Sequence, residues 1–248
     1  MWAKIREPMV TQFCVKSILA AAFLTLALTL ALALAQSVRA DDPPPSAKEL
    51  LKSVRIAQSS QDWKLTGRIR EGSKKIPFHL ALEKNAIRYE FTDNGDTLTL
   101  RLGEKSSTLE ETKGGRTGRV SAAKFDAPVH GTDISYEDLA LRFLYWSDAN
   151  VLGTDMISAH RCWKVEARPA HANDSQYARV VLWIGREDGA LMKAESYDAS
   201  GKWVRRFTVT SVMKREGYWM LKQMRIENAK GRSADPMPTY LEIEDVEK

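Results

Sequence analysis

From Trp63 onward the apolar positions recur with a period of two, the signature of strands with one face buried. Ile76, Phe78, Leu80 and Leu82 fall on one face across Ile76–Glu83. Ala86–Thr92, Thr97–Leu102 and Ser107–Thr112 follow, with a hairpin signal at Asp93-Asn94-Gly95 and a second turn at Gly114-Gly115. Val151–Ile157, Arg161–Arg168, Tyr177–Gly185, Leu191–Tyr197, Lys202–Met213, Tyr218–Glu227 and Thr239–Asp245 continue the pattern, with a looser loop at Gly231–Pro238. Tyr177–Gly185 is apolar on both faces, which predicts a central strand. About eleven short strands joined by turn residues predict one large curved antiparallel sheet, or a barrel.

Two stretches break the strand pattern. Ala47–Ser60 places Leu50, Leu51 and Val54 on one helical face. Gly131–Trp146 (GTDISYEDLALRFLYW) predicts one helix beginning at Tyr136. Ser135 with Asp138 resembles a capping box, and Glu137 and Asp138 suit the positive end of the helix dipole. Leu139, Phe143 and Trp146 form a stripe, flanked by Ala140 and Leu144. Burying the large side chains among these is worth roughly 1.5–3 kcal/mol each before the entropy of ordering them. Such a helix either plugs a core or lids an apolar cavity. The two helices are the expected covers for the concave side of the sheet.

The N-terminus reads as a targeting segment. Lys4, Arg6 and Lys16 precede an uncharged run, Ser17–Ala35, and Val38-Arg39-Ala40 offers a small-residue cleavage site, so residues 1–40 read as a signal peptide. The run is also long enough to span a bilayer, which leaves an uncleaved anchor as the alternative. The absence of a cysteine just after the site speaks against a lipoprotein anchor. Residues 41–46 (DDPPPS) form a proline-rich linker, and 47–248 form one domain.

This reading changes the charge balance. Lys4, Arg6, Lys16 and Arg39 against Glu7 take three of the +5 formal charges with the leader, leaving +2. No basic run or basic helix remains, so no nucleic-acid partner is expected. Cys162 would be the single cysteine left. It cannot form an intrachain disulfide and reads as a buried, inert thiol.

Catalytic patterns are missing: no nucleophile elbow, no phosphate-binding glycine loop, no His-Glu-x-x-His. His79, His130, His160 and His171 are scattered, and His130 with Asp133 reads as a solvated turn. Capping and the dipole account for Asp133, Glu137 and Asp138. No enzyme activity, cofactor or metal is therefore expected, and the residues favour a carrier or binding module.

The run Gly131–Trp146, then Cys162-Trp163-Lys164-Val165-Glu166, Tyr177–Ile184 and Ala194–Gly201, resembles the bacterial outer-membrane lipoprotein-sorting proteins of the LolA-like type, over about Ala47–Asp245. The resemblance implies an incomplete antiparallel barrel of about eleven strands closed by helices, with an apolar concave face that receives acyl chains. Classical members ferry lipoproteins across the periplasm; relatives act as envelope sensors or lipid-handling partners of exporters. The family's functional arginine aligns with no single position here, so no site residue is carried over. The resulting expectation is a periplasmic carrier of lipid or lipoprotein acyl chains, working with an inner- or outer-membrane transport protein. The alternative is an envelope sensor or exporter accessory, in the periplasm or anchored at the inner membrane. The expected apolar lining is Phe78, Leu80, Leu139, Phe143, Leu144, Trp146, Trp183 and Phe207.

Overall fold

A computed structural model describes residues 45–59, 62–215, 217–229 and 237–247. The leader expected at 1–40, most of the linker expected at 41–46, Ser60 and most of the loop expected at Gly231–Pro238 lie outside the described residues.

Helix α1 (Ala47–Ser59) begins where Ser46 and Glu49 bond reciprocally: the Ser46 amide donates to Glu49 Oε2 at 2.9 Å, and the Glu49 amide donates to Ser46 Oγ at 3.3 Å. Among the described residues thirteen strands follow: β1 (Trp63–Glu71), β2 (Lys74–Glu83), β3 (Ala86–Phe91), β4 (Thr97–Leu102), β5 (Ser107–Lys113), β6 (Arg116–Arg119), β7 (Asp148–Ile157), β8 (His160–Arg168), β9 (Arg179–Gly185), β10 (Leu191–Tyr197), β11 (Trp203–Arg215), β12 (Tyr218–Asn228) and β13 (Thr239–Glu247). The expected count of about eleven is low. Strand β6 reads RTGR and is exposed throughout, so it carries no apolar alternation to detect.

All strands form one antiparallel sheet in the order β6-β5-β4-β3-β2-β1-β13-β12-β11-β10-β9-β8-β7. Two meanders, β1–β6 and β7–β13, are joined by the pairing of β1 with β13. Among the described residues the sheet is curved but not closed, with β6 and β7 as its two free edges. A closed barrel, the alternative that the strand pattern allowed, does not form.

This topology has a consequence for the middle of the chain. Residues 120–147 must travel from one free edge to the other. They do so as a strap containing α2 (Tyr136–Ala140) and a 3-10 turn, Arg142–Tyr145. The single helix expected over Tyr136–Trp146 is broken. Leu141 takes left-handed angles (φ 49°, ψ 33°), which ends α2 after five residues, and Trp146 is extended. The break lets neighbouring residues enter different cores. Ile134, Tyr136 and Ala140 pack on strands β1–β5, β12 and β13. Phe143 and Leu144 pack with Leu50, Leu51 and Val54 of α1 against β8–β10.

Strand β9 is central and buried on both faces, as its sequence predicts. Val180, Leu182 and Ile184 face α1, while Val181 and Trp183 pack with Cys162 and Met192 on the other side. Cys162 is free and buried, and burial pushes its thiol up. Ion pairs lace the strands: across the ladder Glu166 meets Arg179, Glu195 and Glu227 meet Arg206, and Glu242 meets Arg68 and Arg70; within a strand Glu166 meets Arg168, Glu195 meets Lys193 and Glu227 meets Arg225.

Candidate apolar cavity

A cavity of about 840 Å³ lies between the sheet and its two helical covers. Its walls come from the strands: Leu65 of β1, Leu80 and Leu82 of β2, Ile87 and Tyr89 of β3, Phe207 of β11, Met220, Leu221 and Met224 of β12, Leu241 and Ile243 of β13. Val54 of α1 and Ile134, Leu139, Leu141 and Phe143 of the strap complete it. Several of these apolar residues (Leu82, Leu139, Leu141, Phe207, Met220, Leu221, Met224) are only half-buried. The volume falls in the range of about 300–1,000 Å³ usual for ligand sites.

Polar groups are few. His160, Glu187 and Asp188 reach the cavity from the exposed β7–β8 and β9–β10 turns. Burial among the apolar walls pushes the Tyr89 phenol up to about 12. Asp138 also reaches the cavity, but its oxygens are engaged. It accepts from the Ser135 amide (2.8 Å) and hydroxyl (2.7 Å), from the Tyr177 hydroxyl (2.6 Å) and from the Arg205 guanidinium. The capping box foreseen for Ser135 and Asp138 is present; the ion pair to β11 is an addition that local sequence could not show. Glu137 is likewise held, by the Ser175 hydroxyl (2.5 Å) and the Gln176 amide (3.2 Å). Its carboxyl is pushed up by burial, which outweighs those bonds.

Further bonds fix the strap along its length. The Lys74 ammonium donates to the His130 carbonyl at 2.6 Å, and the Ser107 hydroxyl to the Ala140 carbonyl at 2.6 Å. The Tyr136 hydroxyl donates to Glu111 at 2.6 Å, and Arg55 donates to the Leu144 carbonyl. His130 is half-buried and its ring lies 4.0 Å from that of Phe91, so the turn it occupies is not simply solvated. Among the described residues, no group of three or more His, Cys, Asp or Glu could hold a metal ion.

Of the eight expected lining residues, the structure brings Leu80, Leu139, Phe143 and Phe207 together in the cavity. The other four lie elsewhere. The Phe78 ring covers the backbone of Gly67, where an added Cβ would approach it to 2.8 Å, and stacks edgewise on Tyr89 and Phe91. Leu144 is fully buried in the core beneath α1, and Trp146 packs on that same core. Trp183 is on the opposite face of β9, where its indole nitrogen donates to Asp155 at 2.8 Å. Sequence reasoning missed the contribution of β12, although Met220, Met224 and Ile226 recur there at even spacing.

A family model described as "Uncharacterized protein" matches residues 112–247, from β5 through the strap to β13. The chain belongs to that family. Among curated proteins, none matches. The chain shares its fold with solved structures. An outer membrane lipoprotein-sorting protein domain from Vibrio parahaemolyticus superposes with a TM-score of 0.65 at 18% identity, covering 81% of this chain and 91% of that one. A DUF1329 family protein from Desulfovibrio piger gives 0.62 at 19% identity, covering 81% and 90%. A LolA superfamily protein from Nitrosomonas europaea gives 0.59 at 14%, covering 82% and 94%. The fold is therefore LolA-like, as the resemblance implied.

Proposed function

We propose that this protein is a periplasmic carrier that sequesters lipid, or the acyl chains of a lipoprotein, in the cavity under the strap. The observation that carries this reading is a cavity of about 840 Å³ whose walls are apolar and whose buried carboxylate, Asp138, is already paired. Sequestering an acyl chain there is favourable by about 0.8 kcal/mol per methylene removed from water. The half-buried leucines and methionines supply adaptable walls, since methionine repacks easily. The leader-like residues 1–40 support export, with cleavage by signal peptidase or retention as an anchor as the two routes. The fold shared with a lipoprotein-sorting domain supports the cargo class.

Loading requires the strap to move. Leu139 and Phe143 line the cavity, whereas Ala140 and Leu144, beside them, are core residues. We read the strap as a plug on one side and a lid on the other. Apolar burial does this work, and no proton transfer is required of any residue.

The test is direct. The exported protein is extracted with organic solvent and the extract analysed by mass spectrometry, and the delipidated protein is titrated with a fluorescent fatty acid. Co-purifying lipid and saturable uptake are expected; a clean extract together with no uptake would sink the proposal.

A second reading, an envelope sensor or exporter accessory, is favoured by strand β7. This free edge exposes Leu152 and Met156, both more than half accessible, and could be extended by a partner's strand. A stoichiometric partner captured by crosslinking in the envelope, with no bound lipid, would favour it.

A further inference from the structure

The tip of the β11–β12 hairpin is unlike the rest of the sheet. Trp219 is 63% exposed and Val212 is 38% exposed. Met213 pairs with Met220, Val212 with Leu221, and Lys214 with Trp219. Directly opposed residues share a face and successive residues alternate. The exposed pair, Val212 and Trp219, therefore stands on one face with Lys214, while Met213 and Met220 stand on the other, half-buried against the core. Cations accompany them. Lys214, Arg215 and Lys222 are exposed, and the Lys214 ammonium lies 5.8 Å from the Trp219 ring centre. Glu216 offsets one of the three charges in the sequence, so the tip is net positive.

We propose that the β11–β12 hairpin tip is a membrane-docking element that seats on an anionic bilayer surface and presents the mouth of the cavity to it. A tip whose exposed Trp219 and Val212 share a face with Lys214, with Arg215 and Lys222 exposed beside them, suits entry into the lipid interface, where an indole settles among headgroups and lysines reach anionic phosphates. The occupant is tied to the cavity by shared residues: Val212, Gly217, Trp219, Met220 and Leu221 all line it. A chain leaving the bilayer beside Trp219 would meet apolar wall without crossing water. The proposal extends the carrier reading to its transfer step.

The experiment is flotation of the exported protein with phosphatidylcholine vesicles and with vesicles of equal phosphatidylcholine and phosphatidylglycerol, at low and high salt. The score is the ratio of binding to anionic over neutral vesicles, which an apolar anchor would not raise. We expect a high ratio that salt lowers, and a fall of about tenfold or more in the Lys214→Glu/Lys222→Glu variant. Brominated lipids should quench tryptophan emission, and Trp219→Phe should remove that quenching. A ratio near one for the parent protein would overturn the proposal. So would an unchanged ratio in the charge-reversed variant, or self-association through Trp219 without vesicle binding. Neither Lys214 nor Lys222 lines the cavity, so fatty-acid uptake by that variant is expected to match the parent. Docking without uptake would fail the carrier reading alone; uptake without docking would fail the hairpin alone.

Discussion

The Arg205 guanidinium on β11 is ion-paired with the Asp138 carboxylate on α2, and both side chains are almost wholly buried. The pair fastens the strap to the sheet beside the cavity, and the Tyr177 hydroxyl bonds the other carboxylate oxygen at 2.6 Å. Arg205→Met would leave Asp138 buried without its cation. We expect a loss of about 3–5 kcal/mol in denaturant-derived stability, with Asp138→Asn in the same chain restoring part of it because the N-cap geometry survives. Faster exchange of a bound fluorescent fatty acid should accompany the loosened strap. A loss under about 1 kcal/mol would show that the pair does not hold the strap.

Leu139 and Leu144 separate the two sides of the strap. Leu144 is fully buried in the core beneath α1, so Leu144→Ala should cost about 2–5 kcal/mol. Leu139 is half-buried and faces the cavity, so Leu139→Ser should cost about 1 kcal/mol or less while weakening uptake. Equal destabilisation by the two would contradict the division.

Filling the cavity should act on uptake before stability. Leu221 lines it and is half-buried. Leu221→Trp is expected to weaken binding of long acyl probes more than short ones, with little change in melting temperature. Undiminished binding of the longest probes would place the ligand elsewhere.

Acid should soften the sheet through two glutamates. Burial raises the Glu195 and Glu242 carboxyls, but hydrogen bonds outweigh it and hold both at about 2. Lys193, Tyr197 and Arg206 supply them to Glu195; Arg70, Arg68 and Gln223 supply them to Glu242. A depressed folded value contributes stability above the ordinary 4.5, and that contribution is lost as the pH falls from there towards 2. Melting temperature should therefore decline through this window, and Glu242→Gln should shallow the decline. Glu137, raised by burial, works in the opposite sense. An identical acid profile in Glu242→Gln would refute its share.

Cys162 should resist thiol reagents in the native protein, because it is buried and its thiol is pushed up. Labelling should appear only as denaturant unfolds the chain, on the unfolding transition followed by tryptophan fluorescence. Rapid native-state labelling would show that the β8–β9 region opens locally.

The sequence by itself determined the local elements: the period-two strands, the central character of β9, the cap at Ser135 and the apolar face of α1. Each depends on residues within a few positions of one another, where periodicity and capping chemistry act. Strand β6 escaped because RTGR is solvated on both faces. Only the tertiary structure decided the rest. The pairing of β1 with β13 left β6 and β7 as edges and sent residues 120–147 across the concave face. That crossing, with Leu141 in a left-handed turn, put Leu139 over a cavity and Leu144 into a core, although both belong to one apolar stretch. The same curvature brought Arg205 to Asp138, and placed Met220 and Leu221 around the same cavity as Leu80. Contacts between residues so far apart in sequence follow from strand order and sheet curvature, which no local pattern encodes.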